Sequence, residues 1–268
     1  KKNINTYSRM KISIVTTYYN RWPQFEATLK RFNELYKGRH DWDLVVVDDC
    51  SDDEHALTKE RLKFCDFNIQ VVQMPPEKKY CNPCVPFNVG FVHAYGEVIL
   101  IQNPECTHYD NILDDCLKLE DNEYRVYSCF SADPEQTEEI KKSAPELDNI
   151  FEGNTKSASR DGSFDSWYQH KDIRNHSLHF CAAIKNKDLR DLQGFDQRFA
   201  KGVGYDDNEF LHRIKMKNMN ITCSDKVVYH QYHKGFCGNQ EYKPEMDNYS
   251  LYHGFTLNRK SYKSQDNE

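Results

Sequence analysis

The chain has 268 residues, of which 38% are hydrophobic and 13% aromatic, and its formal net charge is −6 at pH 7. This length and apolar content suffice for one full α/β core, and the interspersed acids and bases argue against a nucleic-acid-binding surface. The apolar runs have the length of strands and are too short to span a membrane. Residues 1–10 lack the apolar stretch of a signal peptide. The cytoplasm is therefore the favoured compartment, although a chain that does not begin with Met leaves the compartment open.

The ten cysteines do not define a disulfide scaffold in a chain of this length. Several of them lie in or beside apolar strand-like runs, where a reduced cysteine is an ordinary small core residue. Cys81 and Cys84 form a single C-x-x-C motif around Asn-Pro, and a zinc site would need a second pair of ligands. A turn is the better interpretation, and we expect the cysteines to be reduced.

Strand-like and helix-like segments alternate through the first half of the chain. In order they are a strand at 11–18, a helix from 23 to Gly38, a strand at 43–48, a helix at 53–63, a strand at 68–73, a proline-rich loop at 75–86 leading into a short helix that ends near 95, a strand at 97–102, a helix around 111–119 and a strand at 125–130. This alternation predicts an α/β fold whose mostly parallel sheet is covered on both faces.

The second half begins with polar sequence and then becomes ordered again. Residues 131–176 are rich in charged, Ser and Gly residues and predict a long loop or insertion. A strand at 179–184, a turn at 194–196, a helix at 206–216 and a strand at 226–231 follow, and the polar tail after residue 243 predicts a covering arm. We find no internal repeat and no linker that divides the chain.

Polar residues follow the predicted strands, at the sheet edge where ligands of open parallel sheets bind. Ser51 and Glu54 have the spacing of a capping box, which predicts a helix start there. Asp48 and Asp49 precede that cap, so their carboxylates are available to accept hydrogen bonds from a uracil N–H or from ribose hydroxyls. No G-x-G-x-x-G motif or P-loop is present, which argues against a dinucleotide-binding dehydrogenase.

Two further segments contain possible metal ligands. Asn103-Pro104-Glu105 places a carboxylate just past a buried strand, where it suits Mg²⁺ or Mn²⁺ bound together with phosphates. The alternative is an ordinary Asn-Pro turn. His230 and His233 follow the last strand beside Lys234. We predict that the two histidines are metal ligands and that Lys234 neutralises phosphate. The alternative is that the histidines are structural.

Asp206 and Asp207 follow a glycine-containing loop at 202–204 and begin an amphipathic helix. Carboxylates at a helix start are favoured by the dipole and by free N–H groups, so capping is one interpretation. Capping needs only one short acid, and the second carboxylate is well placed to act as a general base.

Taken in order, these segments resemble the family-2-like glycosyltransferases of the GT-A fold. The matching segments are 12–20, 46–51, 88–97, 103–105, 194–196 and 204–209. The resemblance covers roughly residues 11–234 and implies a Rossmann-like three-layer sandwich with a mostly parallel central sheet. It implies a single domain over 1–268, with a nucleotide-binding half at 11–130, an insertion at 131–176 and an acceptor-binding half at 177–240.

The resemblance implies transfer, with inversion, of a sugar from a UDP-sugar or similar donor to a hydroxyl of a glycan or glycoprotein. Asp207 would be the general base and Asp206 the first acid of the pair, both counted as catalytic. The implied donor-binding residues are Thr16, Tyr18, Asp48, Asp49, Asn88, Asn103 and Lys234. The implied ligands of Mn²⁺ or Mg²⁺ are Glu105, His230 and His233.

We also expect acceptor contacts from Trp167, Tyr168, Gly204 and Tyr205, because aromatic faces suit sugar rings and loops carry specificity. For Trp167 the alternative is a hydrophobic anchor of the insertion. The metal motif departs from the family pattern, since Asn103 stands where the first acid is usual. Lys234, Arg198 or Lys201 could then stabilise the leaving diphosphate, or the chain could be a non-catalytic nucleotide-sugar or glycan-binding module.

Overall fold

The computed structural model describes residues 10–142, 166–233, 245–258 and 261–265. The strands of this part are β1 Ile12–Tyr18, β2 Trp42–Asp48, β3 Asn68–Gln73, β4 Val98–Gln102, β5 Cys106–His108, β6 Glu123–Ser131, β7 Ser166–Gln169, β8 Cys181–Lys185 and β9 Asn220–His230. The helices are α1 Trp22–Leu35, α2 Lys59–Leu62, α3 Cys84–His93, α4 Ile112–Cys116, α5 Pro134–Lys142, α6 Asn186–Leu192, α7 Asp206–Met216 and α8 Asn248–Thr256, with a 3₁₀ turn at Gln197–Phe199.

All the strands join one sheet in the order β3-β2-β1-β4-β8-β6-β9-β5, and β7 pairs with β6. The strands β3, β2, β1 and β4 are parallel, as the alternation of elements predicts. In contrast, β8 runs antiparallel to both of its neighbours, β4 and β6. The parallel pair β6–β9 and the antiparallel strand β5 complete the sheet.

Helices cover both faces of the sheet, which confirms the predicted α/β layering. Along β1, Ile12 and Ile14 belong to the core cluster under α1, whereas Val15 belongs to the cluster under α3, α6 and α7. Successive strand side chains point to opposite faces, so these two clusters are the two sides of the sheet. Helix α3 packs closely on the sheet at Gly90, which has no side chain. A Cβ atom there would come within 2.6 Å of the Val15 side chain.

The predicted helix at 53–63 is wrong for most of its length, because only Lys59–Leu62 is helical and its N-cap is Thr58. The capping box does not form, since the Ser51 hydroxyl accepts a hydrogen bond from the Asn20 N–H instead. The Asn20 side chain also exchanges two hydrogen bonds with Asp52, at 2.7 and 2.9 Å. These contacts between the loops after β1 and β2 replace the local helix start.

The predicted loop at 131–176 contains regular structure where the chain is described. Helix α5 follows β6 directly, and β7 pairs with β6, while residues 143–165 lie outside the described part. Strand β9 begins at Asn220, before the predicted 226–231, and the covering tail contains α8. Among the described residues, no helix combines the length and apolarity that crossing a membrane requires.

Candidate active site

The carboxyl ends of β1, β2 and β4 lie at one edge of the sheet. Thr16 is level with Val46 on one side and with Gln102 on the other. Because β8 is antiparallel to β4, it begins at this edge, where Cys181 pairs with Gln102. The segments that follow β2 and β4 and the segment that precedes β8 are therefore neighbours.

Glu105 meets His230 and His233 at this edge. Its Oε1 lies 3.2 Å from the Nε2 atom of each histidine. The antiparallel pairing of β5 with β9 sets Cys106 opposite His230, and the Gln231 N–H donates to the Glu105 carbonyl at 3.1 Å. Pairing between strands far apart in the sequence thus brings the three side chains together.

The two histidines keep the Glu105 carboxyl ionised. Burial raises the pKa of Glu105, but hydrogen bonds and the charges of His230 and His233 outweigh it and hold the pKa well below its usual range. Among the described residues, these three form the group of His, Cys, Asp and Glu side chains that could hold a metal ion, with ligand atoms within 4.8 Å of one another. One carboxylate oxygen and two imidazole nitrogens form the donor set.

Asp206 and Asp207 occupy the first turn of α7, after Tyr205 in the left-handed conformation (φ 64°). Asp206 is buried and accepts a hydrogen bond from the Asn82 amide at 2.9 Å. Asp207 is partly exposed, and burial together with the neighbouring charge of Asp206 raises its pKa to about 7. A carboxyl with such a pKa is suited to general base catalysis at neutral pH.

Two buried asparagines fix the loop that leads to this acid pair. The Asn82 amide also donates to the carbonyls of Gly202 and Gly204, both at 3.3 Å. The Asn248 amide donates to the carbonyl of Gly204 at 2.7 Å and to that of Phe199 at 3.0 Å. Neither asparagine was identified from the sequence, because each lies in a polar segment without periodicity.

Asp48 and Asp49 have different environments. Asp48 is buried and its carboxylate accepts from the Ser51 N–H at 2.9 Å, so it stabilises the turn after β2. Asp49 accepts from the Tyr80 hydroxyl at 2.6 Å and pairs with Lys78 at 3.1 Å. A carboxylate has about four acceptor positions, so Asp49 retains capacity for a ligand.

The loop between β3 and α3 connects these groups. Tyr80 binds Asp49, and Asn82, only two residues further on, binds Asp206. The same loop contacts the chain before the acid pair, since the N–H groups of Cys81 and Asn82 donate to the Ala200 carbonyl. The carboxylates after β2 and at the start of α7 therefore lie on the same side of the molecule.

The chain matches one known protein family. The family described as "Glycosyl transferase family 2" matches residues 13–191. The chain belongs to glycosyl transferase family 2. Among curated protein sequences, none matches the chain.

Solved structures share the family's GT-A fold, which confirms the predicted fold class. S. aureus TarS 1-349 is 18% identical, with a TM-score of 0.57 over 83% of this chain and 60% of that chain. The mannosyltransferase PcManGT from Pyrobaculum calidifontis, solved with GDP-Man and Mn²⁺, is 19% identical, with a TM-score of 0.53 over 88% of this chain and 59% of that chain. A complex of S. aureus TarS 1-349 with UDP-GlcNAc is 18% identical, with a TM-score of 0.57 over 87% of this chain and 62% of that chain. The chain thus spans about three fifths of the length of these structures.

Two of the donor-binding residues implied by the family resemblance are buried, and a third, Asn88, is partly buried and bonded within the protein. Thr16 and Tyr18 are buried, and the Tyr18 hydroxyl donates to the His55 carbonyl at 2.6 Å. The Asn88 amide donates to the Phe195 carbonyl and accepts from the Phe195 N–H, both at 2.8 Å. These side chains, like that of Asp48, thus have partners within the protein, and their direct contact with the nucleotide stays a prediction.

The remaining donor predictions concern the loops at the edge. Asn103 is partly exposed directly after β4, and its backbone N–H donates to the Phe180 carbonyl at 3.1 Å. It stays a predicted donor contact together with Asp49. Lys234 lies outside the described residues.

The alternative cations for the leaving diphosphate are paired elsewhere. Arg198 binds the Asp196 carboxylate through two nitrogens and lies 3.8 Å from the centre of the Phe255 ring. Lys201 pairs with Glu245 on the surface at 3.3 Å. The structure thus does not support Arg198 or Lys201 as phosphate ligands.

The predicted acceptor residues divide into two groups. Trp167 is buried and packs edge-on against Phe130 with ring centres 5.2 Å apart, as the alternative interpretation of a hydrophobic anchor requires. Its prediction as an acceptor contact is not supported. Tyr168 packs edge-on against His230 at 5.0 Å, beside the metal-ligand cluster. Gly204 and Tyr205 directly precede the acid pair and stay predicted acceptor contacts.

Proposed function

We propose that this family-2 chain transfers a sugar from a nucleoside-diphosphate sugar to an acceptor hydroxyl, with inversion and with Asp207 as general base. The observation that carries the proposal is the position of Asp207. It is a partly exposed carboxyl with a pKa raised to about 7 by burial and by Asp206, in the first turn of α7. The metal-ligand cluster of Glu105, His230 and His233 follows β4 and β9 of the same sheet.

The donor is proposed to bind between the loops after β2 and β4. Asp49 offers a carboxylate to a base N–H or to ribose hydroxyls, and Lys78 and Tyr80 fix its orientation. The similar structures with UDP-GlcNAc and with GDP-Man support a nucleotide-sugar donor and leave both nucleotides to be tested. We favour a uridine nucleotide because the resemblance of the strand-end motifs implies it.

Glu105, His230 and His233 fit a divalent cation, since an ionised carboxylate and two imidazoles form a common donor set. Imidazole nitrogens suit Mn²⁺ better than Mg²⁺, which prefers oxygen ligands, so the fit favours Mn²⁺ within the predicted pair. When bound, such a cation supplies positive charge to the leaving diphosphate.

The residues of the chain account for the proton transfer. The Asp207 carboxylate accepts the proton of the acceptor hydroxyl while that oxygen forms a bond to the anomeric carbon. The bond from the anomeric carbon to the diphosphate oxygen breaks on the opposite side, and the nucleoside diphosphate leaves with the electron pair. Asp206, held by Asn82, increases the basicity of Asp207 through its charge.

A turnover assay tests this assignment. UDP-glucose, UDP-galactose, UDP-GlcNAc and GDP-mannose are each incubated with the protein, Mn²⁺ and the methyl β-glycosides of glucose, galactose and N-acetylglucosamine as acceptors, and nucleotide release is measured. We expect Asp207→Asn to lower release of the preferred donor by about 10²-fold to 10⁴-fold while UDP still binds. Asp225→Asn, which removes an exposed carboxylate on β9, is the matched control and should have wild-type turnover.

Two outcomes would contradict the proposal. Wild-type turnover by Asp207→Asn would remove its role as base. Binding of UDP by the wild-type protein without release from any donor, at any Mn²⁺ concentration, would instead support the non-catalytic binding module. That alternative is motivated by Asn103 at the place of the first acid of the metal motif.

A further inference from the structure

Three tyrosines form a continuous aromatic surface next to the acid pair. The Tyr205 ring centre lies 5.7 Å from that of Tyr249 and 5.6 Å from that of Tyr252. Tyr249 and Tyr252 are three residues apart in α8 and so lie on the same face of that helix. Tyr249 is 56% exposed, whereas the other two are partly buried. We call Tyr205, Tyr249 and Tyr252 the tyrosine surface.

The tyrosine surface is adjacent to the proposed base. Tyr205 immediately precedes Asp206 and Asp207, and its left-handed conformation turns the chain into α7. Tyr252 is close enough to Asp207 that, after burial, the charge of this carboxylate raises the pKa of the phenol. A molecule bound to these rings would therefore lie next to Asp207.

The surface is held in a fixed position. Asn248, the first residue of α8, donates hydrogen bonds to the carbonyls of Phe199 and Gly204. The loop before α7 and the start of α8 are in close contact at Gly202. A Cβ atom there would lie 2.1 Å from the Asn248 side-chain oxygen. Rigid placement of the rings before binding lowers the entropic cost of complex formation.

The chemistry of the surface indicates its ligand. Tyrosine rings offer apolar faces to the C–H groups of a sugar and hydroxyls to its rim. The groups beside the surface are Asp247 at the start of α8, the exposed pair Glu245–Lys201, and His253, whose ring centre lies 4.4 Å from that of Tyr249. On the side of the reaction the surface meets the carboxylates of Asp206 and Asp207, which are compatible with a neutral ring and would repel a phosphorylated acceptor.

We propose that the tyrosine surface is the acceptor subsite and that it binds the ring of a neutral sugar whose hydroxyl is directed to Asp207. This inference rests on the proposed function for the identity of Asp207 as base. It adds the contribution of α8, which lies after the segment that matches the family.

Sugar binding to the protein loaded with UDP and Mn²⁺ tests the proposal without turnover. The probes are the methyl β-glycosides of glucose, galactose and N-acetylglucosamine, and their dissociation constants are measured by NMR titration. We expect Tyr249→Ala and Tyr252→Ala each to weaken the best-bound glycoside about fivefold to tenfold. Tyr249→Phe, which keeps the ring, should lose less than Tyr249→Ala. The control Leu257→Ala changes an 85% exposed residue just after α8 and should bind like the wild type.

The proposal is overturned if no glycoside binds the wild-type protein, or if the alanine variants bind as the wild type does. Tighter binding of glucose 6-phosphate than of methyl glucoside would overturn the neutral ligand. UDP affinity should be equal in all variants, which shows that they are folded. If glycoside binding depends on the tyrosines but no donor is turned over, the subsite stands and the transferase assignment fails.

Discussion

Glu105 and Asp207 are carboxylic acids whose pKa values are moved in opposite directions by their neighbours. Burial raises the pKa of both. Beside Glu105, His230 and His233 reverse this effect, whereas beside Asp207 the charge of Asp206 increases it. The first carboxyl is thus held ionised, and the second is suited to accept a proton at neutral pH.

The pH dependence of turnover follows from the Asp207 pKa of about 7. A general base must be deprotonated, so nucleotide release should rise with pH and level off above the pKa. Asp206→Asn removes the neighbouring charge and should move the midpoint of the profile to lower pH. Turnover is measured from pH 5.5 to 9, on the preferred donor. An identical midpoint in both proteins would show that Asp206 does not set the basicity of Asp207.

The same pKa predicts a pH-dependent change in stability. The folded pKa of Asp207, about 7, lies above the unfolded value of about 3.9. Its contribution to stability is therefore full below the unfolded value and is lost as pH rises through the folded value. Asp207→Asn should raise the melting temperature at pH 8 and leave it nearly unchanged at pH 4, in thermal unfolding followed by circular dichroism. Equal gains at both values would contradict the raised pKa.

At the residue scale, the sequence predicted groups that stand directly after strands or at helix starts. Glu105, Asp207 and the two histidines were predicted in this way, and the structure brings Glu105 and the histidines together. Lys78, Tyr80 and Asn82 were missed because they lie in a proline-rich loop, and only the tertiary structure brings that loop to the acids. Asn88 was assigned to the donor from its motif, but its amide is used by the backbone of Phe195.

A buried ion pair stabilises helix α7, which carries the acid pair. Glu209 and Arg213 are four residues apart and fully buried, with a closest contact of 2.7 Å, and Arg213 also donates to the Leu192 carbonyl. Glu209→Gln leaves a buried guanidinium without its counter-charge and should lower the free energy of unfolding by about 3–5 kcal/mol. The measurement is urea unfolding.

The matched control is the exposed pair Glu26–Lys30 in α1, which has the same spacing and a contact of 3.0 Å. Because solvent screens this pair, Glu26→Gln should cost less than about 1 kcal/mol. Equal losses from the two substitutions would show that burial of the α7 pair has no special effect.

The link between α3 and the turn after α6 makes a separate prediction. Asn88→Ala removes both hydrogen bonds to the Phe195 backbone, which should cost about 1–3 kcal/mol of stability. UDP affinity of the folded variant should equal that of the wild type if the amide binds only the Phe195 backbone. Calorimetry and urea unfolding separate these effects. Weaker UDP binding at unchanged stability would support the donor role.

Among the elements, the first strands were predicted well because each is an apolar run, and such runs are buried in the core. The helix at 53–63 was predicted from local capping, and contacts of Asn20 with Ser51 and Asp52 override that preference. Helix α8 was not predicted because the tail after residue 243 is polar as a whole, and the helix is held by tertiary hydrogen bonds of Asn248.

At the scale of the whole molecule, β8 joins the two halves of the sheet. It runs antiparallel between β4 and β6, and so returns the chain to the edge where the first strands end. Alternation of strands and helices predicted parallel neighbours, and it contains no information on such a reversal. The strand order places the metal-ligand cluster and the acid pair on one side, although 101 residues separate Glu105 from Asp206 in the sequence.

We propose that this edge has two separate parts, a metal–nucleotide site formed around Glu105, His230 and His233, and a base, Asp207. Calorimetric titration of UDP with and without Mn²⁺ tests this division of the site. The proteins compared are wild type, Asp207→Asn, the double variant His230→Ala/His233→Ala, and the control His40→Ala, which changes an exposed histidine. We predict Mn²⁺-dependent UDP binding in all except the double variant, whose affinity should fall at least about tenfold. Binding of UDP that is independent of Mn²⁺ and equal in all four proteins would show that the two histidines do not hold a metal ion for the nucleotide.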